Sequence, residues 1–151
     1  MRRGEKEIND QREIGAILHR GRIAFLALAD EGHPYVVPVC YGFDGTALYV
    51  HTAQEGQKLD MLSNNARVCL AIVPSWSINP ADDACDWGLS YESIIVHGTA
   101  SILTDPAGKC AGLDAIMQQF TSYKDHTYTT TAIAKTCILK IEPDHITGKR
   151  S

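Results

Sequence analysis

Apolar and polar positions alternate most clearly over Leu48-Tyr-Val-His-Thr52. Leu48 and Val50 share one face of this segment and Tyr49 and His51 the other, the pattern of a strand with an apolar and a functional side. Similar runs predict strands over 22–29, 34–42, 66–73, 90–103 and 136–142. In the longest, Ile94, Val96, Ala100 and Ile102 fall on one face, and Tyr91, Ser93, Ile95, His97 and Thr99 on the other. The period changes to that of a helix at Ile14, Ile17 and Leu18, behind a capping-box pattern at Asp10 and Glu13 and ahead of Gly21. A second helix follows Gly56 and runs to about Asn64. A third starts at Pro106 and carries Leu113, Ile116, Met117 and Phe120 on its apolar side. Residues 1–8 read as a loose charged end, 74–88 as a long loop, 122–131 as polar loop and 144–151 as a tail turning back.

Six strands with tight hairpin turns and short inserted helices predict a closed or partly closed antiparallel barrel rather than a doubly wound sheet. Pro38, which cannot donate to a ladder, places the second strand at an edge, at a bulge or against a ligand. At 151 residues the chain reads as one domain, 1–151, able to bury roughly 70% of the surface of its unfolded form.

Composition narrows the function classes. A formal charge of −4 gives no basis for non-specific nucleic-acid binding. No apolar run reaches the length of a membrane span, and Met1 to Glu7 lacks a signal-peptide core, so the expected compartment is the cytoplasm. Cys40, Cys69, Cys85, Cys110 and Cys137 are odd in number and widely spaced, which supports neither a disulfide framework nor a metal site. Rossmann, Walker, zinc-protease and nucleophile-elbow motifs are absent.

The candidate chemistry lies where the Leu48–Thr52 strand meets the next helix. Lys58 falls in the first helical turn, where the dipole disfavours a cation. An anion held jointly by the free amides and the ammonium accounts for it; a solvated surface lysine is the plain alternative. His51 lies on the polar side of the same strand, where Tyr49 is expected to face the cleft with it.

These features come together in a resemblance. Arg20-Gly-Arg-Ile-Ala, Val37-Pro-Val-Cys-Tyr41, Leu48-Tyr-Val-His-Thr52 with Gly56 and Lys58, Tyr91 to Ala100, and Ile146-Thr-Gly-Lys149 occur in order over nearly the whole chain. In this the chain resembles the pyridoxamine 5′-phosphate oxidase-like flavoproteins, in particular their nitroimidazole-resistance branch. The resemblance implies a six-stranded split β-barrel and a homodimer with FMN at the subunit interface. It also implies a flavin-dependent oxidoreductase acting on small electron-poor substrates such as nitroimidazoles; a flavin- or haem-binding protein without turnover is the alternative. The implied cofactor-binding residues are Val37, Pro38, Val39, Cys40, Tyr41, His51, Thr52 and Lys58, with Tyr91 and Ser93 given by the partner chain. His51 is the implied catalytic residue. Gln57 stands where the broader family often has arginine, so one cation is missing. Trp76 and Trp87 either cover the flavin or anchor their loop. A metal or haem site built from His51, His97 and a cysteine has no ligand spacing behind it.

Overall fold

The computed structural model describes residues 4–123 and 125–151. Its strands are β1 (Glu7–Ile8), β2 (Ile23–Asp30), β3 (His33–Cys40), β4 (Gly42–Phe43), β5 (Leu48–Thr52), β6 (Arg67–Asn79), β7 (Gly88–Ile102) and β8 (Cys137–Arg150). Its helices are α1 (Gln11–Arg20), α2 (Gln57–Asn64), α3 (Pro106–Phe120) and α4 (Thr130–Lys135). The sheet order is β3-β2-β6-β7-β8-β5-β4, with β1 paired to β8, and every pairing is antiparallel. At the open side the end strand β3 approaches β5, which carries the short end strand β4, without a ladder between them, and this makes the sheet a split barrel. There are eight strands rather than the expected six because β1 and β4 are two residues each, too short to leave a periodic trace.

Leu26, Leu70, Ile72, Ile94, Val96, Leu139 and Ile141 fill the barrel and are fully buried, and α1 packs Ile14, Ile17 and Leu18 into the same core. Asp10 caps α1 by accepting from the Arg12 amide. The chain leaves α1 through Gly21 in extended conformation, so Gly21 serves close packing rather than a left-handed turn. A Cβ there would lie 2.2 Å from the Tyr41 hydroxyl. A smaller core of Tyr49, Ala115, Ile116 and Ile138 holds α3 against β5 and β8.

Four segments differ from expectation. Residues 74–79 continue β6, and 75–79 pair with 88–92, so most of the expected loop is an extended hairpin arm. The register slips between Ile72 and Ser75, and the extra residue accommodates Pro74, which has no amide to give. The tail likewise continues β8 to Arg150, past a second bulge opposite His97 and Gly98 where Pro143 and Asp144 lie. Ile8 is buried, and β1 pairs with Gly148 and Lys149, so the amino end is tied to the sheet. Thr129 caps a helix, α4, at the end of the predicted polar loop. Among the described residues no helix is long and apolar enough to cross a membrane.

Candidate functional site

β3 pairs only with β2, so its other edge has no strand partner among the described residues. Val37 and Val39 turn toward the core, while Val36, Pro38 and Cys40 are exposed. Pro38 costs no ladder bond on such an edge, as its position in the sequence implied. Tyr41 crosses from β3 to β4 with its ring wholly buried, and its hydroxyl donates to the Leu18 carbonyl at 2.6 Å. Burial pushes the phenol's pKa far up, against the lowering effect of Arg22. Tyr41 therefore braces α1 and has only its backbone to offer a ligand.

Across the split, β5 ends at His51 and Thr52. His51 lies opposite Ile138 and is exposed; Thr52 lies opposite Cys137 and is half-buried. Tyr49, expected in the cleft beside His51, is buried instead, because α3 lies over that part of β5. Its hydroxyl donates to Asp44 at 2.8 Å, and burial together with that carboxylate raises its pKa to about 12. Burial tends to raise the Asp44 pKa, but bonds from Ala47, Thr46 and Tyr49 win and hold it below the usual value.

After β5 the chain turns through Gly56 at φ 122°, a conformation that favours glycine, and enters α2 with no side-chain cap. In the first turn of α2 the amides of Leu59 and Asp60 return to the Gly56 carbonyl, which leaves those of Gln57 and Lys58 without an intrahelical partner. Lys58 stands among them, half-buried, with its pKa lowered by desolvation against the opposing effect of the Cys137 thiol. No carboxylate pairs with it among the described residues. A desolvated ammonium beside open amides is a place where an anion gains more than water does.

Tyr91 and Ser93 are elsewhere in the chain. Val50 lies opposite Leu139 and Leu139 opposite Ile102, so Ser93 stands nine residues back along β7, roughly 30 Å at the rise of a strand. The Tyr91 ring carries Lys149 Nζ 5.2 Å from its centre. Tyr91 also lines a cleft of about 390 Å³ with Trp76, Glu92 and Arg150. One chain thus carries Val37–Tyr41 on and just after β3, His51 and Thr52 on β5, the strand that approaches it, and Lys58 at the start of the next helix, and leaves Tyr91 and Ser93 apart. His51 and His97 are likewise separated: their β8 partners, Ile138 and His145, are seven residues apart. Trp87 anchors the hairpin tip through its indole N–H to the Ala81 carbonyl at 2.7 Å, while Trp76 stays 64% exposed.

Sequence reasoning missed Cys137 as a neighbour of Lys58, and Lys109 as a second charge acting on that thiol. The Cys137 thiol is buried at the start of β8, its pKa raised by burial and lowered by both Lys109 and Lys58. Lys109 arrives from α3, more than fifty positions from Lys58, and no local pattern marks it.

The family model described as pyridoxamine 5′-phosphate oxidase matches residues 10–150. A protein of Bacteroides thetaiotaomicron, described as a candidate 5-nitroimidazole antibiotic resistance protein, superposes with a TM-score of 0.84 at 30% identity. The match covers 95% of this chain and 86% of that one. The FAD- and haem-binding protein of Mycobacterium smegmatis shares the fold with a TM-score of 0.86 at 22% identity, covering 97% and 73%. The uncharacterized protein RA0666 of Rhizobium meliloti (strain 1021) is 32% identical over 65 residues. That is 43% of this chain and 42% of the relative, so the match spans less than half of either.

Proposed function

The chain belongs to the pyridoxamine 5′-phosphate oxidase family, and from that premise we propose that it is a flavin-dependent oxidoreductase reducing small electron-poor molecules. The observation that carries this reading is the corner where β5 enters α2, with Lys58 half-buried in the first turn of a helix that has no side-chain cap and with no carboxylate paired to it among the described residues. The residues fit the phosphate end of an FMN unit. Lys58 and the α2 amides hold the phosphate, and Thr52 offers a hydroxyl beside them. The backbone of Val37 to Tyr41 supplies donors and acceptors along the ring edge. A bound flavin supplies hydride transfer, and this asks the protein for position and electrostatics rather than a triad.

His51 has the proton-transfer role. It is exposed at the end of β5, one residue from Thr52, and histidine exchanges protons near neutrality. It holds a proton at an imidazole nitrogen and gives it to the substrate as negative charge develops there. The nitroimidazole description of the Bacteroides protein suggests the substrate class.

The assembly in this reading is a homodimer. Ile23, Phe25 and Val36 stand 53%, 48% and 59% exposed on the outer face of β2 and β3. Contiguous apolar surface of this kind marks an interface. A two-fold partner covers it and brings its own Tyr91 and Ser93 to the flavin.

A second reading, a haem-handling protein without turnover, rests on one observation. Cys69, His97 and His145 lie in direct register across β6, β7 and β8. The visible spectrum of the purified protein separates the two readings. Flavin bands, and oxidation of a reduced nicotinamide when a nitroaromatic is added, support the first. A Soret band without turnover supports the second. Failure to retain either FMN or riboflavin removes the first.

A further inference from the structure

A cavity of about 430 Å³ opens between the start of α3 and α4, within the range of small-molecule sites. Pro106, Ile133 and Ala134 give it apolar walls, and the Tyr128 ring gives it an aromatic one. That ring is braced. Its hydroxyl donates to Asp114 at 2.9 Å, and the His126 ring packs beside it with centroids 6.5 Å apart. An aromatic ring already fixed by its neighbours offers a planar ligand a surface to pack on at little further cost in entropy.

The charged group in the lining is Lys109, half-buried near the start of α3. Its Nζ donates to the Ile133 carbonyl at 3.3 Å, but that oxygen already accepts from the Thr136 amide at 3.2 Å, so the carbonyl does not need the ammonium. The bond uses one of three possible donations, and no carboxylate pairs with Lys109 among the described residues. The nearby acids are turned to other work. Asp105 caps α3 by accepting from the Gly108 amide at 2.6 Å, Asp114 holds Tyr128, and neither lines the cavity. Thr130 adds a hydroxyl to the lining. A half-buried ammonium between apolar walls, with no counter-ion, is best stabilised by an anion that enters with an apolar body.

One ammonium matches the single charge of a carboxylate, whereas a phosphate monoester, with close to two charges at neutral pH, would be only partly neutralised. The fixed ring and apolar walls match a flat body. We infer that the cavity between α3 and α4 is a binding site for an aromatic carboxylate, with Lys109 and Thr130 on the carboxylate and Tyr128 against the ring. The site shares no residue with the flavin reading and does not rest on it.

The test is a set of calorimetric titrations on the full-length protein with naphthoate, naphthalenemethanol, which has the ring without the charge, and acetate, which has the charge without the ring. Naphthoate should saturate one site per chain and bind about tenfold or more tighter than either control, the scale of one charge-assisted contact. Lys109→Met keeps the apolar stem and removes the charge. It should weaken naphthoate about tenfold and change naphthalenemethanol less than about twofold. Ala134→Phe, a change at an exposed position that fills the cavity without touching the core, should weaken both. Naphthoate that does not saturate, binds no tighter than the alcohol, or keeps its affinity in Lys109→Met would overturn the inference. Competition between naphthoate and FMN would place the probe at the β5–α2 corner, which overturns it as well and leaves the flavin reading standing.

Discussion

Lys58 has no ion-pair partner among the described residues and gives up part of its hydration, so its contribution depends on what it binds. Lys58→Ala should weaken FMN by about ten- to hundredfold, from the loss of a charge-assisted bond of roughly 1.5–3 kcal/mol. Riboflavin, which has no phosphate, should bind both forms equally; a fluorescence titration with the two ligands makes the comparison. The same residue sets a pH dependence. Desolvation lowers its pKa from the usual 10.5, so phosphate affinity should be lost as pH rises through that lowered value, earlier than for an exposed lysine. For His51→Ala we expect full flavin occupancy with turnover down at least tenfold, the low end for a positioned acid. Flavin loss with unchanged turnover per bound flavin would instead make His51 a structural residue. The places of His51 at the end of β5 and of Lys58 in the first turn of α2 were legible in the sequence because each depends on a local period or turn. Tyr49 was misread, because alternation tells that it opposes Val50 but not that α3 covers its side.

At the scale of elements, the long strands β7 and β8 are joined to α1 by charge. The Glu92 carboxylate on β7 pairs with Arg20 of α1 and Arg150 of β8, and Arg150 also pairs with Glu13 of α1. The bonds from Arg150 and then Arg20 hold the Glu92 pKa below its usual 4.5. A carboxylate with a lowered folded-state pKa contributes stability that is complete above the unfolded value and is lost as pH falls through the folded one. Glu92→Gln should therefore lower the melting temperature by about 2–4 °C at pH 7, the scale of a partly exposed ion-pair network, and the loss should shrink at an acid pH below the folded-state value. An equal loss at both pH values in thermal melts would show that packing, not charge, is what Glu92 supplies. The cluster joins positions 13, 20, 92 and 150, and nothing local in the sequence pointed to it. The hairpin arm was missed for a different reason. Pro74 interrupts the apolar run, and beyond it the alternating Trp76 and Ile78 have no core to bury them.

For the molecule as a whole, the apolar patch at Ile23, Phe25 and Val36 and the distance of Tyr91 and Ser93 from Lys58 lead to the same expectation. A second copy satisfies both. Phe25→Asp changes an exposed side chain, so the monomer fold should persist by circular dichroism. Sedimentation should nevertheless shift from dimer to monomer, and flavin affinity should drop at least tenfold with the loss of the partner's contacts. A variant that stays dimeric, or a monomer that keeps its flavin at full affinity, would place the interface elsewhere.

Strand periods, the α1 cap, the Gly56 turn and the edge character of Pro38 follow from the sequence alone. Each depends on side-chain alternation or backbone freedom within a few residues, and local physics decides it. The family motifs also lie within such short stretches, so the resemblance could be drawn from them. Tertiary structure alone decided what lies across the barrel. Burial of Tyr41 and Tyr49 depends on α1 and α3 packing over them, and the approach of β3 to β5 on how the sheet curls. The placement of Lys109 beside Cys137 depends on where α3 docks. These contacts join residues far apart in the chain, and their energies come from desolvation and packing, which exist only once both partners are in place.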